Sequence, residues 1–156
     1  MNGSSIEGQG DVAKDSSGNG RDTKVSGASW AKQGGGFALN LDGESDYVLF
    51  DAVPGLALTG PVSVEAWIKP MHKSEALTGL LGQDLHTYLL TFSPPHRFYW
   101  HIGLGANGIG TQGKLQEWNH VVATFDGNAQ PFFSMADRRP AGLQNFQPTQ
   151  NAIDSR

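Results

Sequence analysis

VSVEAWIKP, residues 62–70, alternates with a period of two: Val62, Val64, Ala66 and Ile68 point one way, and Ser63, Glu65, Trp67 and Lys69 point the other. Successive side chains of a strand leave on opposite faces, so this is a β-strand with one apolar face, ended by Pro70. The same pattern recurs on both sides. FALNLDG places Phe37, Leu39 and Leu41 on one face, and Asp42-Gly43 offers a turn into DYVLF. Further strands are expected at TGLLGQ, TYLLTF, RFYWHIG and EWNHVVATF, at about ten-residue spacing, with no comparable window of helical period. The expected fold class is all-β, an antiparallel sandwich or barrel in one domain.

Composition agrees. The chain has 156 residues, with 21 glycines, 8 prolines and only 17% charged residues, a mixture suited to short strands joined by turns. A net charge of −4 without a basic cluster argues against nucleic acid, which requires a basic face to displace counterions. No apolar run is long enough to span a bilayer, so membrane insertion is not expected. MNGSSIEG has neither the basic start nor the apolar stretch of a signal peptide, and the absence of cysteine removes disulfide and thiolate chemistry. Residues 8–36, polar and rich in Gly, Ser, Asn and Asp, read as ordered loop with at most one short strand.

Several motifs invite chemistry. GLGANG, Gly103 to Gly108, fits the dinucleotide fingerprint, and GIGTQGKL, Gly108 to Leu115, nearly fits a P-loop. Both mechanisms require a helix to follow, and IGTQGKLQEW is too short and too glycine-rich for one. Five histidines never pair at metal-ligand spacing, and no G-x-S-x-G elbow occurs. A glycosidase requires two carboxylates flanking the bond; Glu65 and Asp51 are the nearest candidates and nothing pairs them.

Two constellations remain. In RFYWHIG, Phe98, Trp100 and Ile102 share one face while Tyr99 and His101 share the other; exposed Trp and Tyr beside polar groups stack on sugar rings. Tyr99, Trp100 and His101 are therefore the candidate ligand contacts, against the alternative that one face is core and the other is covered. DSSGNGRD, Asp15 to Asp22, gathers oxygen-bearing side chains of the kind Ca²⁺ takes, with Asp15, Asn19 and Asp22 as candidate ligands. The same side chains equally cap turns by accepting backbone N–H groups.

Taken together, EGQGDVAKDSSGNGRD, VSGASW, GGFALNLDGESDYV, GPVSVEAWIKP and EWNHVVATFDG resemble, in order and spacing over residues 7–127, the laminin-G-like domains of the concanavalin A-like lectin/glucanase superfamily. The resemblance implies a jelly-roll sandwich of two antiparallel sheets. It also implies a non-catalytic module of a larger, often bacterial, exported or surface protein that binds glycans or proteins, in some cases with structural calcium. Trp67 matches the family's E-x-W strand, and Trp118, His120 and Asp126-Gly127 match its W-x-H-V strand and turn, all as architecture. The catalytic Glu-x-Asp-x-x-Glu strand of the related glucanases has no match. A degenerate glycoside-active enzyme and a fragment without function of its own are the alternatives.

The resemblance also implies an apolar opening strand, where MNGSSI stands, and further hairpin strands after Asp126-Gly127. The β pattern is expected to stop at Gln130, which divides the chain into a sandwich domain, 1–130, and an atypical tail, 131–156. Two readings of the tail stand. Read from the third base of each codon, Met135-Ala136 (ATG-GC) yields glycine, the preceding codon permits Asp or Asn, and Phe132 and Phe133 become Phe or Leu. The tail is then an out-of-frame continuation. Otherwise it is a divergent polar tail, disordered around QNFQPTQN.

Overall fold

The computed structural model describes residues 8–50, 60–83, 87–103 and 108–127 and the backbone of 132–136. Among these residues there is no helix, and every strand pairing is antiparallel, the expected fold class. The strands fall into two compact units, one holding the first five and the other the remaining seven.

In the first unit β1 (Val12–Ala13), β2 (Thr23–Ser26) and β5 (Tyr47–Leu49) form a sheet in the order β1-β2-β5. A hairpin joins β3 (Ser29–Gln33) to β4 (Gly36–Asn40). The expectation of loop through residues 8–36 is thereby corrected. β2 is a strand although it is mostly polar, because its alternation places Thr23 and Val25 inside and Lys24 outside. The Thr23 hydroxyl donates to the Leu49 carbonyl across the sheet, so its burial leaves no polar group unmet.

The Asp42-Gly43 turn forms as read. Asp42 Oδ1 accepts the N–H groups of Glu44, Ser45 and Asp46 at 2.8, 3.0 and 3.0 Å, and Asp46 Oδ2 accepts the Asp42 N–H at 2.9 Å. Gly43 supplies the positive φ, +80°. Those backbone donors hold the Asp42 carboxyl down to about 2 from its ordinary 3.8. A carboxylate with a lowered folded pKa stabilises fully above its unfolded value and loses that contribution as pH falls through the folded one. Asp42→Asn is therefore expected to flatten the fall in stability between 3.8 and about 2, measured as unfolding midpoint against pH. An unchanged slope would show that the turn contributes nothing in acid.

The second unit is a two-layer arrangement. One sheet runs β10-β9-β8-β7, from β7 (Thr78–Gly82), β8 (Tyr88–Ser93), β9 (Arg97–Ile102) and β10 (Ile109–Gln112). The other runs β12-β11-β6, from β6 (Val62–Ile68), β11 (Asn119–Phe125) and β12 (Phe132–Ala136). Leu90, Phe92, Phe98 and Trp100 of the first meet Val121 and Ala123 of the second in one core, with Val62, Val64 and Ile68 of β6 packed against it. The apolar row of VSVEAWIKP thus lies inward, as its alternation requires.

β12 lies beyond the expected stop at Gln130 and pairs with β11 from Thr124↔Phe132 to His120↔Ala136. MNGSSI, Asp51 and residues 137–156 lie outside the described residues, and so do residues 104–107 of the dinucleotide-like stretch. Where that motif and the P-loop require a helix, β10 stands, and a strand cannot aim a helix N-terminus at phosphate.

Asn119, fully buried at the start of β11, fixes the loop before it. Its Oδ1 accepts the Lys114 N–H at 2.9 Å, and its Nδ2 faces the carbonyls of Lys114, Glu117 and Ile68 at 2.9, 2.8 and 3.3 Å. One side chain thereby satisfies backbone groups that a buried irregular loop would leave unpaired.

Candidate ligand-binding face

β9 carries aromatic side chains on both faces, and its pairing decides which face is core. Phe98 and Trp100 lie inward; Trp100 is 0% exposed, with the Tyr88 ring 6.0 Å away. Trp100 is therefore corrected from ligand contact to core residue, since no ligand reaches a side chain enclosed between two sheets. Its indole Nε1 is buried without a hydrogen-bond partner among the described residues.

Arg97, Tyr99 and His101 form a row on the outward face. The Arg97 guanidinium lies over the Tyr99 ring, Cζ 5.7 Å from its centroid, and the His101 ring follows at 6.1 Å with a 33° tilt. Tyr99, expected to stack on sugar rings, is half-buried, and Arg97 already occupies one of its faces. The row leans over β10. A Cβ at Gly110 would stand 2.5 Å from the Tyr99 ring, and one at Gly108 would stand 2.8 Å from His101 Cε1. Glycine at these two positions is what lets the rings lie there, a requirement the motif-like spelling GLGANGIG concealed. Arg97 Nη2 donates to the Gly110 carbonyl at 2.8 Å and locks the guanidinium to the same strand.

His101 is only 4% exposed despite facing outward. Its Nε2 lies 3.2 Å from Thr91 Oγ1, and its Nδ1 is buried without a partner among the described residues. Burial pushes the imidazole below its ordinary pKa, so at neutral pH the ring is uncharged.

A second constellation appears only through strand register. β6 and β11 set Trp67 opposite His120, and the two rings stack at 4.6 Å and 20°. His120 Nε2 lies 2.8 Å from Glu65 Oε1, and His120 is 3% exposed while the Glu65 side chain is largely exposed. Ser63 and Thr124 hydroxyls meet at 3.1 Å further along this face. Glu65, one of the two nearest carboxylate candidates for a glycosidase, is the partner of a buried imidazole. The contact orients a histidine and supplies no second carboxylate for glycoside hydrolysis.

In the first unit, the Asp15–Asp22 turn uses its own carboxylates. Asp15 Oδ1 and Oδ2 accept the N–H groups of Ser17 and Arg21 at 2.8 and 2.9 Å, which holds its carboxyl down to about 2. Asp22 Oδ1 accepts the Asp15 N–H at 2.9 Å, and Asp22 Oδ2 pairs with the Lys14 ammonium, which lowers its pKa. Asn19 donates its side-chain amide to Ser17 Oγ at 2.8 Å. Of the two readings of this loop, the geometry fits turn capping: the Lys14 ammonium pairs with Asp22, and each Asp15 and Asp22 carboxylate oxygen already has a donor. No group of three or more His, Cys, Asp or Glu able to hold a metal occurs among the described residues.

No curated protein and no solved structure matches the chain. A laminin-G-type family model, described as the concanavalin A-like lectin/glucanases superfamily, matches residues 42–134, more than half of the chain. That range begins at the Asp42 turn and takes in every strand of the second unit, its last residue falling within β12. With antiparallel strands throughout and a core shared by two facing sheets, the chain belongs to the concanavalin A-like lectin/glucanases superfamily.

Proposed function

We propose that this chain is a non-catalytic glycan-binding module, a part of a larger surface or exported protein, and that it recognises its ligand through the outward row Arg97–Tyr99–His101. The observation that supports this most is the fixed polar row: the Arg97 guanidinium lies over the Tyr99 ring and donates to the Gly110 carbonyl, which holds two side chains able to bond hydroxyls together on a sheet face. A few polar groups fixed beside an aromatic ring are what a saccharide site uses to orient sugar hydroxyls. The glycosidase alternative has less support, because Glu65 is engaged with His120.

The test is a glycan array on the purified chain, followed by calorimetric titration of the best ligand. Tyr99→Phe removes one hydroxyl, and Gly110→Ala displaces the ring without altering any polar group of the row. Each is expected to weaken binding by up to roughly tenfold. Binding unchanged in both variants would move the site elsewhere, and release of reducing sugar from a bound glycan would overturn the non-catalytic reading. Calcium has no part in this site. Unfolding midpoints in EDTA and in excess Ca²⁺ are expected to coincide, and a rise with calcium would assign the Asp15–Asp22 turn to the metal.

A further inference from the structure

We propose that the β9 row selects a carboxylate-bearing saccharide, a chain of uronic acid residues, and that Arg97 is the selecting group; this rests on the glycan-binding reading above. The charge distribution of the sheet carries the inference. The whole chain has 15 acidic against 11 basic residues, yet the four strands β7 to β10 contain no Asp or Glu, and Arg97 is their one Lys or Arg. Among the described residues Arg97 pairs with no carboxylate; its contacts are the Gly110 carbonyl and the Tyr99 ring.

A guanidinium has five N–H donors in a planar fork, and the bond to Gly110 uses one nitrogen of the three. That bond and the Tyr99 ring hold the fork before any ligand arrives, so little side-chain entropy is left to lose on binding. The fork matches a carboxylate with two parallel N–H···O bonds, roughly twice as strong as neutral ones. From Arg97 the row continues to Tyr99, about 7 Å along the strand, which suits a saccharide with its acid group at the Arg97 end. His101 is neutral at pH 7, so the cation that recognises the acid is Arg97 and not the imidazole.

The experiment titrates the chain with oligogalacturonate, oligoglucuronate and oligomannuronate, each beside its methyl ester, which keeps the sugar and removes the charge. Neutral oligosaccharides complete the set. At least one acid should bind, and its ester should bind at least about tenfold more weakly, as expected for losing a charged hydrogen bond. Arg97→Gln, which removes the charge and keeps a polar side chain, should abolish the preference for acid over ester. Arg97→Lys, charged but without the fork, should retain only part of it. Equal binding of acid and ester by the wild type needs no variant to overturn the inference. Binding to neutral oligosaccharides alone overturns the inference and leaves the glycan-binding reading standing. Binding to no saccharide, or only to a protein, overturns both.

Discussion

Trp100→Ala is expected to cost about 3–5 kcal/mol, the usual range for emptying a fully buried aromatic site. Domains of this size hold about 5–15 kcal/mol in total, so a loss of that order leaves the second unit marginal or unfolded. Trp100 is among the largest fully buried side chains and lies among Leu90, Phe98, Val121 and Ala123, where both sheets contribute. Neither sheet can close over the void without shifting its strands. Trp100→Phe separates size from polarity. It keeps most of the volume and removes the unpartnered indole N–H, whose burial costs about 1–3 kcal/mol, so its loss should be far smaller than that of the alanine. Denaturant unfolding of the three proteins measures the order. A stable Trp100→Ala would return Trp100 to the list of surface residues and remove the core from where the sheets place it.

Asn119→Asp should be almost as damaging with almost no change in shape. The wild-type amide presents its NH₂ to three carbonyl oxygens and its oxygen to one N–H. Aspartate would place a charged oxygen against those carbonyls in a buried position, a loss of about 3–5 kcal/mol by comparison with other broken buried charge pairs. The sign with pH is distinctive. A carboxyl that fits better protonated has a raised folded pKa, so the variant binds more protons folded than unfolded and grows more stable as pH falls through that value. The Asp42 turn of the wild-type chain behaves in the opposite sense, losing stability in acid. Denaturation at neutral and at acid pH distinguishes the two. A variant that does not recover on acidification would show that the amide is not the clamp.

The fold was legible where one residue type repeats every second position. Val62–Ile68 is such a case, and its strand has the bounds the alternation implies. Residues 8–36 were not legible, because glycine, serine and asparagine signal turns whether the residues between them pair or not, and β2 shows its alternation only through Thr23 and Val25. At β9 the period was readable but the side was not. Aromatic residues occupy both faces, and only the facing sheet decides that Phe98 and Trp100 lie inside. The Glu65–His120–Trp67 group lay out of reach for another reason: its members meet through a β6–β11 register spanning 55 residues of chain. Gly108 and Gly110 resembled a phosphate motif because spacing alone does not say whether a glycine serves a turn or makes room for a neighbouring ring.

The β6–β11 pairing has a consequence for the order of synthesis. On an elongating chain β6 emerges first, and its hydrogen-bonding partner β11 follows only after all of β7 to β10. At about 5–20 residues per second, that delay lasts several seconds. Throughout it Val62, Val64, Ala66 and Ile68 form an apolar strand with an unmatched edge, the kind of segment that recruits other chains. Glu65 and Lys69 interrupt the opposite face of the segment with charges of both signs. Charges placed so oppose recruitment of other chains during the interval before the partner strand is made.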